Sequence, residues 1–344
     1  MSVCFGVVGG GAWGTALAQI IATKSFDVRL WAYEPDTVDD INRHHENRQW
    51  LAGVPLSKRI VASGEVSFLS GCATLFLVPP AQHMRRLTHQ LRPHIDVACP
   101  LVVCSKGIEL SSGLLMHEVL AQTMPNNPVL ALSGPTFADE TARGLPTSAL
   151  LACQDTDKAN GLCEMLSGET FRPYVGDDVV GCLMGGAVKN VLAIGAGIVL
   201  GRGYGENARA AMITRGIVEM ARIAQACGAK RETVNGLAGC GDVILTCMSE
   251  KSRSQSLGVR LGKGESLQQV LDSRKTVAEG VATAKSLFEL AERKNIDMPL
   301  CRAVHDILYE GADIDDRVRQ LMTRPLTVEQ EPAQDNVRHI KRVR

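Results

Sequence analysis

The chain has 344 residues, enough for two ordinary domains, and its 45% hydrophobic and 22% charged composition excludes both a disordered chain and a coiled coil. Its 37 Lys plus Arg cancel its 37 Asp plus Glu, so no global charge draws it to nucleic acid or to an anionic membrane, and any anionic ligand must be held by local charges. The eleven Cys are odd in number and include no C-x-x-C pair, which argues for small apolar fillers in a reducing cytosol, none of them a nucleophile, rather than a disulfide framework or a zinc knuckle.

Residues 3–8 are almost wholly apolar and read as a strand without the basic n-region of a signal peptide, so a cytoplasmic protein is expected. Gly9, Gly11 and Gly14 follow, and a stretch of helical character continues to residue 22. Gly9-x-Gly11-x-x-Gly14 thus stands between a predicted strand and a predicted helix, where glycines let the backbone turn tightly and approach a dinucleotide pyrophosphate at the helix N-terminus. A second strand over residues 28–31 leads to Tyr33 and Glu34. An acid about 20 positions past the fingerprint accepts hydrogen bonds from the adenosine ribose hydroxyls and repels a 2'-phosphate. With no Arg or Lys at Ala32, Tyr33 or Pro35, NAD is favoured over NADP.

Further short apolar runs over 75–78, 101–104, 129–132 and 148–152 alternate with helical stretches and predict a parallel, doubly wound sheet. Ser105-Lys106-Gly107 follows the second of these runs, which puts Lys106 at the carboxyl edge where open α/β sheets bind ligands. Ser133-Gly134-Pro135-Thr136 supplies backbone donors and hydroxyls at the same edge.

After about residue 178 the periodicity becomes helical, with helices expected over 212–227, 267–271, 281–294 and 302–309. The reading is therefore a dinucleotide-binding Rossmann-like domain over 1–178, an all-α substrate domain over 179–326, and a mobile polar tail over 327–344. Residues 179–201 are long and apolar enough to span a membrane, yet their glycines and central Lys189 point to a buried core helix. An ammonium group in such a helix is costly unless paired, and burial lowers its pKa toward values useful for proton transfer. Gly239-x-Gly241-Asp242 offers a carboxylate in a flexible turn to orient Lys189, with Thr246 four residues on. Ser252-Arg253 provides a cation suited to bidentate phosphate binding. No His/Cys ligand cluster supports a catalytic metal, and no Ser sits in a nucleophile elbow.

From about residue 3 to 326 the chain resembles the bacterial-type NAD(P)-dependent glycerol-3-phosphate dehydrogenases, through GGGAWGTALA (9–18), SKGIE (105–109), SGPTFADE (133–140), GGAVKNVLAIGAG (185–197), GCGDVILTC (239–247) and TVAEG (276–280). The resemblance implies that Lys189 is the proton donor and acceptor, that Lys106 touches both substrate and cofactor, and that Gly134 and Thr136 contact substrate. It puts Asp242, Ser252 and Arg253 at the glycerol phosphate site, with Arg253 also near the cofactor, and Ala138, Val277 and Glu279 on the cofactor. Trp13 holds the aromatic position of the fingerprint. The family's Ser-Arg-Asn is Ser252-Arg253-Ser254 here, and its Val-Pro-Ser is Val78-Pro79-Pro80. The implied activity interconverts sn-glycerol 3-phosphate and dihydroxyacetone phosphate, supplying phospholipid synthesis. A homodimer is implied as well. Two other readings stand beside it: a related two-domain β-hydroxy acid dehydrogenase, and a dinucleotide-binding sensor without turnover.

Overall fold

The computed structural model describes residues 3–273, 279–326 and 328–329; Val277 and nearly all of the expected tail lie outside the described residues. Strands β1 (Cys4–Val8), β2 (Asp27–Trp31), β3 (Ile60–Ser63), β4 (Thr74–Leu77), β5 (Leu101–Val103), β6 (Val129–Ser133), β7 (Thr147–Ala152) and β8 (Phe171–Gly176) form one sheet in the order β3-β2-β1-β4-β5-β6-β7-β8. Every residue of β4 and β5 is buried, as their unbroken apolar runs require of strands covered on both faces. Alternate residues feed two cores: Phe5, Val7, Leu30, Phe76 and Val102 pack on one face, and Val8, Leu75, Leu77, Leu101 and Val103 on the other.

The sheet is parallel from β3 through β6, but β7 pairs antiparallel to β6 and parallel to β8. This corrects the expectation of an all-parallel sheet. Only the five-residue helix Ala138–Ala142 lies between β6 and β7, too short to carry the chain back along the sheet for a parallel crossover. β3 and β8 escaped the sequence reading because both are edge strands with half-exposed patterns, and β8 contains Pro173.

From Val179 onward the elements are helical, gathered on a separate core around the helix Val179–Arg202. Its mean hydropathy over the best 18-residue window is 1.7, and 89% of that window is buried in the fold, so it is a core helix rather than a membrane span. Its first turn, through Val179, Cys182 and Leu183, also packs on the sheet face that holds Leu75 and Leu101. Along its other end it meets the helix Arg253–Gly262 backbone to backbone: a Cβ on Gly258 would overlap the Ile194 carbonyl, and one on Gly197 the Gln255 carbonyl. Gly258→Ala is expected to destabilise the fold by about 3 kcal/mol, the upper end for overpacking, read as a lower denaturant midpoint at unchanged m-value.

Candidate active site

Five loops leave the carboxyl ends of adjacent parallel strands. The turn after β1 carries the fingerprint. Gly9 has φ 125°, its N–H donates to the Trp31 carbonyl at 2.9 Å, and a Cβ on Gly14 would overlap the Gly9 carbonyl, so the first and third glycines are demanded by the turn and by helix packing. Nothing lies within 4 Å of a Cβ built on Gly11. That open face at the head of the helix Ala12–Thr23 fits a pyrophosphate approaching the backbone. Trp13 Nε1 is buried without a hydrogen-bond partner among the described residues, and Trp13 and Ala138 both pack against the same core. Asn47, fully buried, donates to the Gly10 carbonyl and to Thr15 Oγ1, both at 2.8 Å. It anchors the turn from 37 residues away in sequence, and no local pattern announced it. Glu34 follows β2 as the N-cap of the helix Pro35–His44, with Tyr33 beside it 71% exposed.

The loops after β4, β5 and β6 meet the helical half. Lys189, in mid-helix with a side chain 12% exposed, donates to Asp242 Oδ1 at 3.0 Å and to Thr246 Oγ1 at 2.9 Å. Lys106, after β5, donates to Asp242 Oδ2 and to the Gly134 carbonyl at 3.2 Å. Thr246 in turn donates to Asp242 Oδ1 at 3.1 Å. Two ammonium groups and one hydroxyl thus converge on one carboxylate that is 1% exposed. Asn190 donates to the Lys106 carbonyl at 3.3 Å and receives Ser254 Oγ at 3.5 Å, so the shorter hydroxyl that replaces the family's amide reaches the residue behind Lys106.

Burial pushes Lys189 down from the ordinary lysine value to about 8; Asp242 resists this and the charge of Lys106 adds to it. Burial alone would raise Asp242, but the two lysines outweigh it and hold the carboxyl below its ordinary value. Near neutral pH the site therefore holds an ionised Asp242 and a Lys189 poised to gain or lose a proton.

Asp242 differs from expectation in one respect. It does not lie in a flexible turn. A π-helical turn, Leu237–Gly241, runs directly into the helix Asp242–Met248, so Asp242 opens a helix and Thr246 lies one turn along the same face. Lys106 and Thr246 are both gathered at Asp242. Arg253 is exposed at the start of its helix, within electrostatic reach of Glu279. Ser252, 4% exposed, caps that helix by accepting from the Gln255 N–H at 3.2 Å, which leaves its O–H as a donor. Glu279 Oε1 accepts from the Ala81 N–H at 3.2 Å, just after Pro80, whose nitrogen has no proton to give. Glu279 Oε2 and Thr283 Oγ1 are buried without hydrogen-bond partners among the described residues and face Gly107, where a Cβ would come within 3.1 and 3.3 Å of them. Burial raises Glu279 to about 7 against the Ala81 N–H and Arg253. Buried polar atoms left without partners among the described residues, at the loops after β4 and β5, fit a bound polar group, and Thr136 Oγ1, on the Gly134 carbonyl at 3.3 Å, lines the same edge.

A dinucleotide turn and a buried lysine–carboxylate centre at one sheet edge define the class of nicotinamide-dependent dehydrogenases. Residues 5–159 match the NAD-dependent glycerol-3-phosphate dehydrogenase N-terminus, and residues 178–319 the C-terminus of the same family. The chain is 48% identical over 324 residues to the glycerol-3-phosphate dehydrogenase [NAD(P)+] of Maricaulis maris, covering 94% of this chain and 97% of that one. It is 49% identical over 331 residues to that of Erythrobacter litoralis, covering 96% and 99%. The crystal structure of glycerol-3-phosphate dehydrogenase from Coxiella burnetii superposes with a TM-score of 0.90 at 36% identity, covering 94% of this chain and 99% of that one. The chain belongs to the NAD-dependent glycerol-3-phosphate dehydrogenase family and is an NAD(P)-dependent oxidoreductase.

Asp242→Asn leaves two largely buried ammonium groups facing each other. It is expected to cost about 3–5 kcal/mol of stability at pH near 7. The loss should be smaller above pH 8, where Lys189 is neutral in both chains, the variant having shed that proton at lower pH because Asp242 no longer raises it; denaturant titrations at the two pH values test this.

Proposed function

We propose that this chain interconverts sn-glycerol 3-phosphate and dihydroxyacetone phosphate, with Lys189 moving the proton at the C2 oxygen. The observation that carries the reading is the Lys189–Asp242–Lys106 cluster at the same sheet edge as an open dinucleotide turn. The dinucleotide, when bound, supplies or accepts the hydride. In ketone reduction the Lys189 ammonium donates a proton to the developing alkoxide, and in alcohol oxidation the neutral amine takes it. Asp242 orients Lys189 and offsets its charge. Lys106 presents a second cation next to the reacting oxygen, where negative charge builds.

Arg253, with the Ser252 O–H and Ser254, grips the phosphate, and that remote hold fixes the reacting carbon. Gly134 and Thr136 line the substrate side. Gly9, Gly11, Trp13, Gly14, Tyr33, Glu34, Ala138, Val277 and Glu279 hold the dinucleotide, with Glu34 favouring NAD. We place the enzyme in the cytoplasm as a homodimer, supplying glycerol 3-phosphate for phospholipid synthesis.

Following nicotinamide absorbance with dihydroxyacetone phosphate should show NADH consumed faster than NADPH. A phosphate-free 3-hydroxy acid as the better substrate, or dinucleotide binding with no turnover at all, overturns the reading. Lys189→Ala is expected to lower kcat by about 10³-fold, within the range for a lost general acid–base, while dinucleotide affinity stays unchanged in a binding titration.

A further inference from the structure

At the opposite end of the sheet from the ligand loops, Cys4 opens β1 and Cys72 lies two residues before β4. Both are free thiols. The two strands are already joined there, the Ala73 N–H donating to the Cys4 carbonyl at 2.8 Å, and the two sulfurs stand 3.9 Å apart. The thiols are not equivalent. Cys4 is half-buried and lines an open cleft of about 530 Å³ together with Arg29, Lys58, Arg59 and Phe68, whereas Cys72 is 6% exposed.

The surroundings sort the pair into a nucleophile and a partner. Cys4 is drawn below its ordinary value, first by the hydrogen bond with Cys72 and then, against burial, by the Arg29 charge; Asp27 opposes this weakly, and Arg59 binds Asp27 at 2.9 Å. Cys72 moves upward, through its hydrogen bond with Cys4 and its burial. Arg29, on β2 next to β1, also donates to the Phe68 carbonyl at 2.9 Å and the Ser70 carbonyl at 2.7 Å, which holds the segment leading to Cys72 against β2. Cys99, whose thiol donates to the Cys72 carbonyl at 3.5 Å, is raised to about 11 by burial and stays a bystander.

We propose that Cys4 and Cys72 form a peroxide-reactive dithiol, Cys4 the attacking thiolate and Cys72 the resolving thiol. The Cys4 sulfur attacks one oxygen of a hydroperoxide and the O–O bond breaks, giving a sulfenic acid and, with one proton, water or an alcohol. The Cys72 sulfur then attacks the sulfenic sulfur and its proton leaves with the hydroxyl as a second water, closing a disulfide. Two thiols are oxidised by two electrons in all, and the peroxide is reduced by two. A low-pKa, accessible thiol beside a resolving partner is the arrangement that such sites use.

The test treats the full-length reduced chain with a small excess of hydrogen peroxide and follows intact mass and a non-reducing peptide map. The expected product has lost two hydrogens, contains a Cys4–Cys72 cross-linked peptide, and returns to the starting mass with a dithiol reductant. Cys99→Ser should leave this product unchanged. Cys4→Ser should abolish it and slow total thiol loss by about tenfold, and Cys72→Ser should stop the reaction at an oxygen adduct on Cys4. First oxidation at the half-exposed Cys227 or Cys240, or an oxygen adduct on Cys4 in the unaltered chain with no cross-link, overturns the proposal.

Discussion

Asp242 carries the one carboxylate on which Lys106, Lys189 and Thr246 all close, and the sheet and helical halves of the molecule meet through that contact. Lys106 arrives on a loop after β5; Lys189 and Asp242 arrive on two helices of the other core. Burying an ammonium group costs several kcal/mol unless a counter-charge and further hydrogen bonds meet it. Asp242 meets two such groups at once, so its position decides whether either lysine is tolerated inside. Burial, opposed by Asp242 and reinforced by the Lys106 charge, lowers Lys189 toward neutrality and leaves the site prepared for a substrate oxygen that gains negative charge.

The rest of the fold serves to bring those groups together without strain. Glycine contacts let the helix Val179–Arg202 lie directly on the Arg253 helix, which sets Ser254 beside Asn190. On its other side Gly186 lies against Ser133 and the Lys106 stem, where a Cβ would come within 2.9 and 3.3 Å. The helix is thus apolar and glycine-rich for reasons of close packing on two sides. A membrane span reads much the same in composition, and the central lysine together with the 89% burial of the helix's most apolar 18-residue window inside the fold tells the two apart.

Much of this was legible in the residues. The fingerprint, Glu34, Lys106, Lys189 and Asp242 could be placed because strand-then-glycine and strand-then-lysine patterns are local, and because a lysine in an apolar helix demands a partner. What was not legible depends on long-range contact. The reversal of β7 follows from the shortness of one helix rather than from any feature of the strand itself. Asn47 and Asn190 act through backbone carbonyls distant in sequence, and a single asparagine carries no periodic signal. The helical start at Asp242 was hidden by Gly239 and Gly241, which read as a turn, whereas Gly239 serves close packing, a Cβ on it overlapping the Val234 carbonyl. The pairing of Cys4 with Cys72 likewise arises only when β1 and β4 become neighbours.

The measurement that bears most directly on the Lys189 centre is the pH dependence of kcat in both directions, taken on the unaltered chain and on Lys106→Met. One group that must be protonated to reduce the ketone and neutral to oxidise the alcohol predicts opposite profiles: reduction falling and oxidation rising through pH about 8. Removing the Lys106 charge should move both inflections upward. Profiles that run in the same direction, or that stay flat through that range, contradict a proton-transferring Lys189.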